Sequence, residues 1–192
     1  GRARAAPDVE SAIVDNRCSC RKKNEMLIYD VGAHKGEDTD YYLKKGFRVV
    51  AVEADPILAR ELRDRLAPAI VSGQLTVVEA AVADKTGEIE FFHNEQNTVW
   101  GTIHQDWAER NEKMGAPSSR VKVRAIRFED LLREYGVPYY LKVDIEGADM
   151  VCVSALASTT DRPRFLSLES TKTSWADLLK EFDVLESLQH RL

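Results

Sequence analysis

Short apolar runs recur along the chain, separated by polar stretches punctuated by glycine and proline. Met26–Val31, Arg48–Glu53, Leu75–Val82 and Tyr139–Ile145 have strand length and are rich in residues that suit burial on both faces, as in strands covered on each side. Arg164–Leu168 adds a fifth. Helical patterns fall between them. Thr39–Lys45 ends at Gly46, a C-cap signal, and Pro56–Leu66 opens with Asp55 as N-cap and Pro56 as first helical residue. Glu129–Tyr135, Asp149–Ala157 and Ser174–Leu188 read as later helices. This alternation predicts an α/β fold, a mainly parallel sheet with helices on both faces.

One stretch breaks the alternation. Before the fourth parallel strand, Gly87–Phe92 and Arg120–Arg127 alternate like an antiparallel hairpin or sheet edge, joined by Asn94–Ser119. That joining segment carries Trp100, His104, Trp107 and Met114 and is too long for an idle connection. It reads as a substrate-side lid or, equally, as a plain helix-bearing excursion. Residues 1–24 mix Arg, Ala, Pro and Lys around one short apolar patch and predict a flexible lead-in to a single domain over 25–192.

Composition narrows the partners. A net charge of -5 gives no general attraction for nucleic acid or anionic membrane. No apolar run reaches the roughly 18 residues of a membrane span, and the N-terminus has no signal-peptide core. The expectation is a soluble, cytoplasmic protein. The 3 cysteines form no disulfide framework, and Cys18 and Cys20, without a second pair or a His at finger spacing, read as incidental thiols.

The first strand runs into Asp30-Val31-Gly32-Ala33-His34-Lys35-Gly36, with a helix directly after. A glycine turn there lets backbone approach a ligand, and the helix N-terminus offers unpaired N–H groups. The second strand ends in Val52-Glu53-Ala54-Asp55, which sets Glu53 roughly 20 residues beyond Gly32, the separation at which a carboxylate meets ribose hydroxyls. An adenosine-type ligand follows. The second glycine of the dinucleotide pattern is absent, and acidic Asp30 at the mouth suits a cationic methionine group better than a diphosphate. Both points favour S-adenosylmethionine.

Tyr29–Gly36, Val52-Glu53-Ala54-Asp55-Pro56, Leu141–Ala148 and Leu166-Ser167-Leu168-Glu169, in this order, resemble the FkbM-type methyltransferases from about Leu27 to Leu185. The resemblance implies a Rossmann-like class I methyltransferase fold, S-adenosylmethionine as donor and, usually, O-methylation of a small molecule or glycan. It assigns Asp30, Gly32, His34 and Gly36 to the methionine and ribose side, Glu53 to the ribose hydroxyls, and Ala81 and Val82 to the adenine border, with Ala54 also cofactor-binding. His34 stands where the family often has Asn, and a backbone-only role is favoured for it. Methyltransferases of this fold usually continue beyond the fifth strand and its helix into two more strands. The expectation here is that these C-terminal strands are missing, leaving an edge through which the chain could self-associate.

Methyl transfer needs alignment and, for a hydroxyl, removal of a proton. Lys142, Asp144 and Glu146 alternate along the fourth strand and its exit, and Glu169 closes the next. Asp144, Glu146 and Glu169 are therefore candidate catalytic carboxylates, acting as a base or by holding a divalent cation, with the metal-free form preferred. Alternatively, Lys142 pairs with one carboxylate, or Glu146-Gly147 only makes the turn into the next helix. His104 is a second candidate base. Two rival readings remain: a non-catalytic S-adenosylmethionine-binding module, and a nicotinamide-dependent oxidoreductase, which the glycine pattern argues against.

Overall fold

The computed structural model describes residues 26–169 and 174–188. The lead-in expected over 1–24, with Cys18 and Cys20, lies outside the described residues. In chain order the first half contains β1 (Leu27–Val31), α1 (Glu37–Lys44), β2 (Arg48–Glu53), α2 (Pro56–Arg65), α3 (Ala67–Val71), β3 (Leu75–Glu79) and β4 (Ala81–Val82). Then come β5 (Gly87–Asn94), a 3₁₀ turn at Thr98–Trp100, α4 (Gln105–Lys113), β6 (Ser118–Ile126), α5 (Phe128–Tyr135), β7 (Tyr140–Val143), α6 (Asp149–Leu156), β8 (Phe165–Leu168) and α7 (Trp175–Ser187).

Burial on both faces builds the main sheet. All five residues of β1 are buried, and strands pair in the order β3-β2-β1-β7-β8, every pair parallel. Leu27, Tyr29 and Val31 enter one core with Val50 and Val52 of β2, Phe128 and Leu131 of α5, Cys152 and Leu156 of α6 and Leu185 of α7. Val49 and Ala51 point the other way, to Leu43 of α1 and Leu62 of α2. Period-2 alternation thus gives a helical layer to each face. The helix signals act as expected at α2, where the Asp55 carboxylate accepts from the Ile57 and Leu58 N–H groups and Pro56 occupies the first turn.

The structure corrects two boundaries and adds a helix. The expected strand Leu75–Val82 is two: β3 ends at Glu79, the Ala80 N–H donates to the Glu53 carbonyl, and β4 crosses into a second sheet of order β4-β6-β5. The run has strand character on both sides of Glu79 and contains neither Gly nor Pro, so no breaker marks the change of partner. In this second sheet β5 and β6 form the expected antiparallel pair, and β4 joins β6 in parallel. β7 stops at Val143, short of the expected Ile145, because the chain turns into α6. The short helix α3, which the hydrophobic pattern did not predict, follows α2.

In the main sheet β1 connects through α1 to β2 on one side, while its other neighbour, β7, arrives after the whole insertion. Strand order reverses between β1 and β7. Such a switch point opens a crevice beyond the carboxyl ends of the two strands. Among the described residues, no helix is long and apolar enough to cross a membrane.

Candidate functional site

A cavity of about 500 Å³ opens at this switch point, within the range of pockets that hold small-molecule ligands and cofactors. Its walls include Gly32, His34, Glu53, Ala54, Ala81, Val82, Asp144, Glu146 and Glu169, nine of the positions singled out from the sequence. Asp30, Gly36 and His104 are not on the wall.

Gly32 has φ 83°, and a Cβ there would stand 1.8 Å from the Asp144 carbonyl oxygen. The turns leaving β1 and β7 therefore touch through backbone, which only glycine permits. Gly36 serves packing, since a Cβ at that position would fall 2.1 Å from Leu62 Cδ1 of α2. Between them His34 is left-handed, with φ 51°, and its N–H donates to Glu53 Oε2 at 2.7 Å. The backbone role expected of His34 is present. Its ring does more: Nε2 lies 2.8 Å from Thr98 Oγ1 and ties the cofactor turn to the insertion.

Glu53 closes β2 almost fully buried. The Asp55 N–H donates to Oε1 at 2.8 Å and the His34 N–H to Oε2, and the Ala54 backbone also bonds the carboxylate. Burial pushes its pKa up to about 7 despite these hydrogen bonds. Asp55 also pairs with the buried His93 of β5, a contact that no local sequence signal announces.

Asp30 occupies a different place from the mouth position expected of it. It is fully buried, accepts from Thr39 Oγ1 at 2.6 Å and pairs with Lys142 Nζ at 3.3 Å. Asp30 and Lys142 are register partners on β1 and β7, so their side chains share a face, under the start of α1. Lys142 also reaches Asp38 at 3.0 Å and Asp144 at 3.9 Å. Burial works against its charge, but these carboxylates prevail and raise its pKa. Lys142 thus pairs with one buried carboxylate, Asp30, and with two exposed ones, and the lysine is not on the cavity wall.

Asp144, Glu146 and Glu169 converge on the opposite side of the cavity mouth, one carboxylate oxygen from each lying within 4.8 Å of the others. Such a set has the donor chemistry of a hard cation, and equally of a hydroxyl-binding acid cluster. Burial, followed by Glu169 and Asp144, pushes the Glu146 pKa up to about 7, with Arg110 opposing. Raised carboxylate pKa values make the folded chain hold more protons than the unfolded chain between pH 4.5 and about 7. The contribution of Glu53 and Glu146 to stability therefore falls as pH rises through that window. Thermal unfolding from pH 5 to 8 is expected to show this decline, and the E53Q/E146Q pair to flatten it. An unchanged slope in the double variant would refute both assignments.

The insertion supplies walls that the sequence reading did not name individually: Phe91, Thr98, Val99, Gly101, Thr102 and Ile103. Their only advance signal was the length and aromatic content of the segment. His104 is the N-cap residue of α4, and its buried Nε2 has no hydrogen-bond partner among the described residues. Trp107 packs its ring on Gly147 and stacks with the Arg110 guanidinium at 4.3 Å, whereas Trp100 contributes its carbonyl to Asn111. Trp107 thus binds the insertion to the domain, whereas the Trp100 bond closes within the insertion.

No curated protein sequence matches the chain. Among solved structures it is similar to the precorrin-6y C5,15-methyltransferase from Geobacter metallireducens GS-15, with 14% identity and a TM-score of 0.48 over 96% of this chain and 77% of that one. It is also similar to the glycopeptide N-methyltransferase MtfA complexed with (S)-adenosyl-L-methionine, with 16% identity and a TM-score of 0.28 over 62% of this chain and 72% of that one. The family model of the methyltransferase FkbM domain matches residues 30–192, a span that contains the glycine turn, Glu53 and all three acids of the cluster. The chain belongs to the FkbM methyltransferase domain family.

Proposed function

We propose that the protein transfers a methyl group from S-adenosylmethionine to a hydroxyl oxygen of a small molecule or glycan. The observation that carries the cofactor half is Glu53, a carboxylate that ends β2 on the cavity wall beside the Gly32 turn. A ribose presents two adjacent hydroxyl donors that fit this carboxylate. Ala81 and Val82 offer apolar wall for a purine, and among the described residues no Lys or Arg lines the cavity, which suits a cationic donor.

The donor, when bound, supplies a methyl carbon activated by its positively charged sulfur. The chain's own task is to hold the acceptor oxygen in line and to take its proton as the new C–O bond forms. Glu146 is suited to the second role: its raised pKa lies near neutrality, where a base both exists ionised and holds a proton well. Asp144 and Glu169 then orient the hydroxyl.

The test is a screen of polyhydroxyl acceptors with methyl-labelled S-adenosylmethionine, alongside calorimetry with S-adenosylhomocysteine. D144N and E146Q are expected to retain product binding and to lose at least about 100-fold in transfer rate, the usual scale for a lost general base. Binding of the product by a chain that methylates nothing, with both variants indistinguishable from the parent, would favour a binding module instead.

A further inference from the structure

Glu146 is one of two non-glycine residues with positive φ among the described residues, at 46°, and Gly147 follows at 93°. Positive φ is unfavourable for the L side chain of Glu146, though not for Gly147, and persists where surrounding contacts over-determine it. Those contacts come from the insertion. Thr102, almost completely buried, donates its hydroxyl to the Glu146 carbonyl at 3.1 Å and accepts from the His104 N–H at 3.1 Å. It is itself anchored to β5 by two backbone bonds with Phe92, at 2.8 and 3.2 Å. From the other side, the Trp107 ring lies so close over Gly147 that a Cβ there would be 2.9 Å from Cε2.

We propose that Thr102 and Trp107 are positioning residues, which hold the Glu146–Gly147 turn left-handed and so fix the Glu146 carboxylate against Asp144 and Glu169. The insertion is then part of the acid cluster's scaffold. This rests on the reading that Glu146 serves the acceptor, but the clamp itself is a statement about geometry. The charged groups around Glu146 are Asp144 on the same loop, Asp149 of α6, Glu169 beyond β8 and Arg110 of α4. Moving the carboxylate outward weakens burial and the repulsion from Glu169 and Asp144 together, and both changes lower its pKa.

The experiment is carboxyl NMR of the full chain labelled at glutamate, with the Glu146 signal assigned from E146Q. In the parent it is expected to titrate near 7. T102V, which replaces only the hydroxyl, and W107L, which removes the other contact, should each bring the midpoint down by about one pH unit or more. T102S restores the donor and should restore the parent midpoint. A Glu146 midpoint unchanged in either variant, in a chain that still unfolds cooperatively, overturns the proposal, and the two contacts provide independent routes if one variant does not fold. S-adenosylhomocysteine binding by the parent, abolished in E53A, reports separately on the proposed function, so the two can fail apart.

Discussion

E53A is expected to weaken S-adenosylhomocysteine binding by about 100-fold or more, because it removes two charge-assisted hydrogen bonds of roughly 1.5–3 kcal/mol each. The substitution also strands the His34 and Asp55 N–H groups, which donate to that carboxylate. The comparison is best made near pH 8, where a carboxyl with a pKa of about 7 is mostly ionised. E53Q is the informative partner. Its amide keeps one acceptor oxygen but turns an N–H donor toward a backbone N–H that also donates, so it should recover little affinity. In the parent, affinity should rise from pH 6 to 8 as Glu53 loses its proton. Calorimetry decides the matter: E53A within threefold of the parent would remove Glu53 from the site and, with it, the main support for an adenosine-type cofactor here.

G32A should cost about 3 kcal/mol or more of stability, lowering the melting temperature by roughly 10 °C. The added methyl would meet the Asp144 carbonyl oxygen at 1.8 Å, a distance no non-bonded pair tolerates, and the residue would also hold φ 83°. Relief requires the β1 and β7 turns to separate, although the Asp144 N–H still donates to the Val31 carbonyl at 2.9 Å. The cofactor turn and the acid cluster would thus be disturbed together. Gly46 makes the control: it too has positive φ, at 87°, but a Cβ there meets nothing within 4 Å. G46A should therefore show only the backbone penalty, roughly 1–2 kcal/mol. Equal losses from G32A and G46A in a thermal melt would mean that close approach at Gly32 is unimportant.

The site was legible to unequal depth. Glu53 and Gly32 follow from local rules, since a glycine turn after one buried strand and an acid at the end of the next are neighbours in any doubly wound sheet. Asp30 carried the same local signal and has another role, because its fate depends on Lys142, its partner across the strand pair and far along the chain. The acids Asp144, Glu146 and Glu169 were grouped by reasoning from strand ends, and they do converge. The reason first given for two of them, alternation along a strand, fails because β7 ends at Val143 and a left-handed turn carries Glu146. His104 could be named as a titratable loop residue, but only packing puts its ring off the cavity wall.

The sequence by itself determined the alternation of strands and helices, the doubly covered sheet, the glycine turn with its acidic partner and the family. The family rests on the resemblance of its motifs, and the others on hydrophobic period, capping and short spacings, which the chain carries locally. The tertiary structure alone decided where β3 gives way to β4, which carboxylate Lys142 neutralises, how the insertion walls the cavity and what conformation Glu146 adopts. Each of these depends on contacts between residues distant in sequence, such as Thr102 with Glu146 or His34 with Thr98. Their energies arise only once the strands have brought the loops together, so no local pattern records them.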